Sequence, residues 1–251
     1  MTARHGIWAW FATVGALACT ALFATTVPAA EEDILVRSRA AYAALRSYAD
    51  TGTVDVEFGP VGGTIKERHT FITYYRAPRL FFFDFTKHKN ADRFVVWSDE
   101  EAFHSWWQTT GVENTFPKGQ GATAFVTAAM PTKNAITQTA PLLFSQAGLV
   151  GTLTEFGDAS VVGTEIVGGR KCHKLVGVAR SVYPATERVT NVRKTTVWID
   201  AETLLVRKVL EDAPRGSPAG TVLRVTTTFE PHADPKLEDA RFRFVPPSLQ
   251  R

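Results

Sequence analysis

Little in this 251-residue chain can build a disulfide, hold a metal or activate a nucleophile. Cysteine occurs twice, and only Cys172 lies beyond the first thirty residues. One thiol cannot make an internal bridge, so disulfides are not expected to hold the fold. Cys172 reads as a small buried hydrophobe. The histidines past the N-terminus are His69, His88, His104, His173 and His232, none at metal-ligand spacing on a helix. There is no His-Glu-x-x-His, no Gly-x-Ser-x-Gly elbow, no Ser-x-x-Lys and no phosphate loop. No enzyme activity, metal or cofactor is therefore expected. Charge of one sign is also missing: without Arg4, 27 Lys and Arg face 25 Asp and Glu. That balance argues against nucleic acid as a partner, which needs a clustered basic face.

Long apolar runs are absent except for one. Residues 7–24 are almost wholly apolar, Arg4 precedes them, and Val27-Pro28-Ala29-Ala30 follows. This is the layout of a signal peptide over residues 1–30, cleaved near Ala29 or Ala30, which predicts a periplasmic protein. The run approaches the roughly 18 residues that span a bilayer, so an uncleaved anchor stays open. Lipid attachment at Cys19 also stays open, although Ala16-Leu17-Ala18 fits a lipobox poorly. Residues 31–251 read as a single domain long enough for a substantial core.

What the chain has in abundance is aromatic and β-branched sequence. Phe81, Phe83 and Phe85 alternate along one strand and share a face, with Phe82 and Asp84 opposite. Three phenylalanines on one face need a large apolar partner, either the core or a carried ligand. Phe103 and Trp107 share a face on a nearby strand, with Trp106 opposite. The Phe82 face is expected to be covered by the first helix, and Asp84 to be solvated or paired.

Residues 33–48 read as a helix with a stripe of Leu35, Tyr42, Leu45 and Tyr48. The period then falls to two. Strands are predicted over 51–58, 64–75, 79–87, 93–97 and 102–109, with a turn at Ala77-Pro78. Residues 121–130 and 139–148 read as two short helices punctuated by Pro131 and Pro141. Strands return over 160–167, 170–178, 192–199, 204–210 and 221–229, with a polar loop near Pro184. A sheet of about ten antiparallel strands curls. The expected fold is mainly β (α+β), a half-open barrel with an N-terminal helix and a short helical lid or plug.

The hairpins in their order resemble the periplasmic lipoprotein carriers of the LolA/LolB type and their exported relatives. The resemblance rests on Ala44-Leu45-Arg46-Ser47-Tyr48, Arg76-Ala77-Pro78-Arg79-Leu80-Phe81-Phe82, Val96-Trp97-Ser98-Asp99-Glu100 with Phe103-His104, Val162-Gly163-Thr164-Glu165 with Gly169-Arg170-Lys171-Cys172, Trp198-Ile199-Asp200-Ala201-Glu202-Thr203, and Phe242-Arg243-Phe244-Val245-Pro246-Pro247. The carriers have Pro directly after Arg in the first hairpin, and Gly where Glu100 stands. The resemblance implies a half-barrel that shields acyl chains of a lipid or lipoprotein without covalent chemistry. It implies a cavity wall of Phe81, Phe83, Phe85, Phe103 and Trp107. It implies a lid bearing Phe125, Leu142, Leu143 and Phe144, with Arg76 helping to hold it shut. The alternative is a regulatory module of the same fold docking a membrane partner protein. A monomer is expected in either case.

Overall fold

The computed structural model describes residues 29–99, 101–183 and 188–247. The expected signal peptide falls outside them except for Ala29 and Ala30, as does the loop near Pro184.

Helix α1 spans Ala29–Ala43. The following strands are β1 (Ser47–Pro60), β2 (Ile65–Arg76), β3 (Leu80–Lys87), β4 (Arg93–Ser98), β5 (Ala102–Trp107) and β6 (Val112–Pro117). Helices α2 (Gly121–Ala129) and α3 (Ala135–Leu143) and a 3-10 turn at Ser145–Ala147 come next. Strands β7 (Phe156–Val167), β8 (Arg170–Tyr183), β9 (Arg188–Asp200), β10 (Val206–Pro214), β11 (Thr221–Phe229) and β12 (His232–Ala233) follow. The last regular element is a 3-10 turn at Asp239–Phe242.

All strand pairs are antiparallel, in the order β6-β5-β4-β3-β2-β1-β11-β10-β9-β8-β7, with β12 beside β1. The sheet does not close: β6 and β7 are its two ends. It is a curled half-open barrel with helices on its inner face, as expected.

The connectivity explains where the plug sits. The chain starts in the middle of the sheet at β1 and walks outward to β6. It resumes at β7, the opposite end, and walks back to β11 beside β1. Residues 118–155 must therefore carry the chain from one end to the other, and they contain α2 and α3. An apolar crossover of this kind has its shortest buried path across the inner face.

Both faces of β3, β4 and β5 are covered. On the inner side Phe81, Phe83, Phe85, Phe94, Val96 and Phe103 join the main core. On the outer side Phe82, Val95, Trp97 and Trp106 pack with Phe242, flanked by Leu237 and Phe244. That is why this region reads as continuous apolar runs instead of alternation. The Phe82 face is thus covered by the C-terminal segment and not by the first helix. Asp84 lies on that side and pairs with Arg93, as expected.

Several element bounds differ from the sequence reading for tertiary reasons. The helix ends at Ala43, so Tyr48 belongs to β1. There the backbone N–H groups of Arg46 and Ser47 both donate to Asp234 Oδ1, at 2.8 and 3.0 Å. The Ser47 hydroxyl donates to Pro235 O, and Tyr48 registers with Ala233. Partners almost two hundred residues away thus convert the helical pattern into a strand. The face α1 buries is Ile34, Ser38 and Tyr42, one step per turn. Strand β6 was not foreseen, because Val112-Glu113-Asn114-Thr115 has no apolar alternation and is exposed; it is an end strand paired only to β5.

Helix α3 starts four residues earlier than predicted and carries Pro141 inside its last turns. Proline has no N–H to give Thr137 O. Thr152 N–H donates to that oxygen instead, at 2.9 Å. The approach needs glycine at 151, since a Cβ there would lie 2.1 Å from Thr137 O. The proline thus ties the plug to the loop behind it.

Candidate functional site

The inner face carries two adjoining features, a filled half and an open half. In the filled half, Phe125 of α2 and Phe144 after α3 enter the space over β3 and β5. Phe81 meets Phe125 and Phe144 with ring centroids 5.4 and 5.5 Å apart. Phe103 meets the same two rings at 5.5 Å each. Phe125 and Phe144 are 5.8 Å apart, and Tyr75 closes the group at 5.1 Å from Phe144. Tilted and edge-to-face pairs of this kind contribute about 0.5–1.5 kcal/mol each beyond their buried area. Phe81, Phe83, Phe85, Phe103, Phe125, Leu142, Leu143 and Phe144 are all buried in one core. The expected wall and the expected lid therefore meet face to face.

Trp107 sits at the margin of this core, partly buried. Its indole N–H donates to Asp92 Oδ2 at 2.8 Å, and the Lys87 ammonium lies over its ring. Burial alone would raise the Asp92 pKa, but bonds from Thr109, Trp107 and Lys87 outweigh it and hold the carboxyl below its ordinary range. Trp107 is thereby fixed at a rim.

The open half lies beside the plug. A cavity of about 810 Å³ is lined by Val56, Phe58, Leu223 and Val225 from the sheet and by Val126 and Met130 from α2 and its end. None of the residues expected to form the cavity wall lines it. Sequence reading missed this part because Val56, Phe58, Leu223 and Val225 alternate like any half-buried strand pair. They become a wall only through the β1–β11 register, which joins the two ends of the chain. Met130 is 78 % exposed. Lys133, Arg180 and Arg193 complete the lining on its polar side, with Arg180 paired to Asp158.

Polar groups fasten the plug. Arg39 of α1 sends its guanidinium to the carbonyls of Leu153, Thr154 and Phe156, at 2.8 to 3.2 Å. Gln138 of α3 donates from Nε2 to Glu211 Oε2 at 3.0 Å, with both residues buried. Burial raises the Glu211 pKa, partly opposed by Arg193 and by bonds from Gln138 and Thr152. Arg76, expected to hold the lid, is elsewhere. It reaches Leu237 O and Asp239 and lies over the Phe242 ring, all in the C-terminal segment on the outer face. Arg39 and Glu211 were missed. A carboxylate two residues after inward-facing Val209 was the available signal for Glu211. Arg39 gave no signal, since a helical arginine beside an apolar stripe is commonplace.

Among the described residues no group of three or more His, Cys, Asp or Glu could hold a metal ion. Cys172 is fully buried and its thiol points to Arg170 O. No described helix is long and apolar enough to cross a membrane.

No family model and no curated protein matches the sequence. Several solved structures are similar to it. An uncharacterized conserved protein from Thermus thermophilus is 12 % identical, with 87 % of this chain and 96 % of that chain covered and a TM-score of 0.45. LprF from Mycobacterium bovis is 13 % identical over 79 % of this chain and 90 % of its own, with a TM-score of 0.44. A LolA superfamily protein from Nitrosomonas europaea is 6 % identical over 85 % of this chain and 97 % of its own, with a TM-score of 0.36. The last belongs to the group that the hairpin order resembles. Likeness at this level carries no function across, and the site's own geometry has to.

Proposed function

We propose that this is an exported carrier that shields acyl chains of a lipid or lipoprotein inside the half-barrel, by burial and without covalent chemistry. The observation that carries the reading is an open, largely apolar cavity adjoining a two-helix plug whose aromatic side chains pack against Phe81 and Phe103 on the inner face. A cavity of this size falls within the roughly 300–1,000 Å³ of sites that bury a small ligand. Affinity would come from apolar area removed from water, about 25 cal/mol per Å². A long chain would run from the cavity beneath the plug and take the place of Phe125 and Phe144 against Phe81 and Phe103. The export step rests on the N-terminal signal-like segment. The expected transfer partner is a membrane protein.

The test is thermal melting of delipidated protein with a panel of acyl ligands. A ligand that binds only the folded state raises the melting temperature. Variants must be placed in the open half. Phe83 and Leu143 are 1 % and 4 % exposed, so a charge there would unfold the protein under any reading. Met130→Glu and Val126→Glu change the cavity wall at positions that are exposed and half-buried. Both should fold and lose the ligand-induced rise. A rise that survives both substitutions, or no rise with any acyl ligand, would sink the proposal.

One observation favours a second reading, a regulatory module that docks a partner protein. Strands β6 and β7 end the sheet order with one side unpaired among the described residues, and such edges accept an added strand. Purification with a stoichiometric protein partner and no extractable lipid would support it over the carrier.

A further inference from the structure

Resting on the acyl-carrier reading, we propose that the open cavity selects single amphiphiles with an anionic head: the apolar wall takes the chain, and Lys133 and Arg193 hold a phosphate or carboxylate at the mouth.

Charge complementarity carries the inference. Three cations line the cavity and no carboxylate does, among the described residues. Arg180 is neutralised by Asp158, with 2.5 Å between Nη2 and Oδ2. Lys133 remains without an ion pair among the described residues, and Arg193 is shared with the buried Glu211 beneath the lining. Both are half-buried, a setting in which long cationic side chains lay their stems on apolar surface and keep their charged ends in water. A cation beside an apolar trough costs nothing while it is hydrated. It repels a cationic head and attracts an anionic one. The neutral lining residues Asn134, Thr137 and Thr152 add hydrogen-bonding capacity to the cavity.

Backbone geometry places Lys133 there. Lys133 and Asn134 have φ of 53° and 66°, two consecutive non-glycine residues in the left-handed region. That conformation is unfavourable for a side chain such as lysine. It is held by Asn134 N–H donating to Ala129 O at 2.8 Å and by the Thr132 hydroxyl donating to Ala128 O at 2.7 Å. Glycine at 133 would relieve the turn, yet a long cation stands there. Strain kept at a rim position is a pointer to a side chain with a task.

The experiment compares heads on one chain. Delipidated protein is titrated with oleoyl lysophosphatidic acid, monooleoylglycerol, oleoyl lysophosphatidylcholine and inorganic phosphate. The expected order is the anionic amphiphile at least tenfold tighter than the neutral one, the lysophosphatidylcholine no tighter than the neutral one, and no binding of phosphate alone at millimolar concentration. Lys133→Glu should erase the tenfold preference and leave monooleoylglycerol binding within about twofold. Lys133→Gln should fall between the two and guards against a folding defect in the charge reversal. The preference should also shrink in 0.5 M salt, because a half-exposed ion contact is screened. Equal affinity for charged and neutral heads in the unsubstituted protein would overturn the head selection while leaving the carrier standing. Equal loss of both ligands in Lys133→Glu would overturn it as well. Phosphate binding as tightly as the amphiphile would replace it with a simple anion site. If no amphiphile binds at all, the carrier reading and this inference fall together.

Discussion

Phe144→Ala separates a plug from an ordinary core. Phe144 is 7 % exposed and its ring contacts those of Tyr75, Phe81, Phe103 and Phe125. Truncating a buried phenylalanine costs roughly 3–5 kcal/mol, the transfer of the ring plus the hole it leaves. At about 2–4 °C per kcal/mol for a chain of this length, melting of the delipidated protein should fall by about 6–20 °C. That much holds for any core residue. The distinguishing quantity is the response to ligand. In the unsubstituted protein a chain that enters beneath the plug must first push Phe144 out of its four ring contacts. The packing it displaces is subtracted from its affinity. In Phe144→Ala most of that packing is already gone. Recovery of only 1.4 kcal/mol of it makes binding tenfold tighter.

The assay is a pair of isothermal titrations with one long-chain ligand, each matched by melting with and without it. Phe229→Ala is the control. Phe229 is 1 % exposed and packs on Phe71 at 5.5 Å, with no ring contact to α2 or α3. It should lose comparable stability and gain no affinity. If Phe144→Ala binds no tighter than the unsubstituted protein, the chain does not go beneath the plug. The Phe81 stripe is then core and only the open cavity serves.

Two further perturbations follow from the polar groups on the inner face. Burial raises the Asp50 pKa from 3.8 to about 6, partly opposed by hydrogen bonds including one from the Tyr48 hydroxyl. The neutral acid is thus the favoured folded form, and its contribution is complete below pH 3.8 and lost as pH rises through about 6. A displacement of about two units at 1.36 kcal/mol per unit makes Asp50→Asn more stable by up to about 3 kcal/mol at pH 8 and neutral at pH 3.5, read by urea unfolding at both; a gain independent of pH would refute the cause. Arg39→Ala strips three carbonyls of a charged donor at roughly 1.5–3 kcal/mol per bond before water replaces it, so amide exchange should quicken across residues 135–156 while β1 to β4 keep their protection. Arg39→Lys should rescue only part, because an ammonium cannot fork to several acceptors.

The strands were legible because period-two alternation and glycine or proline turns are local signals. Even the doubly buried strands showed themselves, since Phe81-Phe82-Phe83 and Phe94-Val95-Val96-Trp97 can only serve a sheet covered on both sides. What failed was set by partners far along the chain. The local pattern assigns Tyr48 to the helix, because Asp234, which ends it, lies far along the chain. Pro141 reads as punctuation at the start of a helix over 139–148, because the Thr137 carbonyl that it leaves free finds Thr152 only in three dimensions. The aromatic half of the site was visible as a stripe, whereas the open half depends on the pairing of β1 with β11. Arg76 was misplaced by a motif-level analogy. The fastening that it was expected to supply comes from Arg39 on a different element.

The crossover also constrains how any plug could move. Residues 118–155 are tied covalently to both ends of the sheet, so any movement of the plug is tethered at two points. At the β6 end the attachment is Lys118-Gly119-Gln120, with Gly119 at φ 95° and no non-local fastening among the bonds described. At the β7 end it is clamped by Arg39 and by the Thr152 bond to Thr137 O. The freer end therefore belongs to α2, whose outward-facing Val126 and Met130 form the cavity wall. On the carrier reading, an incoming chain would open the plug from the α2 side, where the fewest bonds have to break. It would withdraw Phe125 before Phe144, leaving Gln138 with Glu211 as the pivot. On that reading, opening from the α2 side would join the open cavity to the Phe81 stripe. The same opening from the α3 side would have to break Arg39's contacts and the Gln138 bond together.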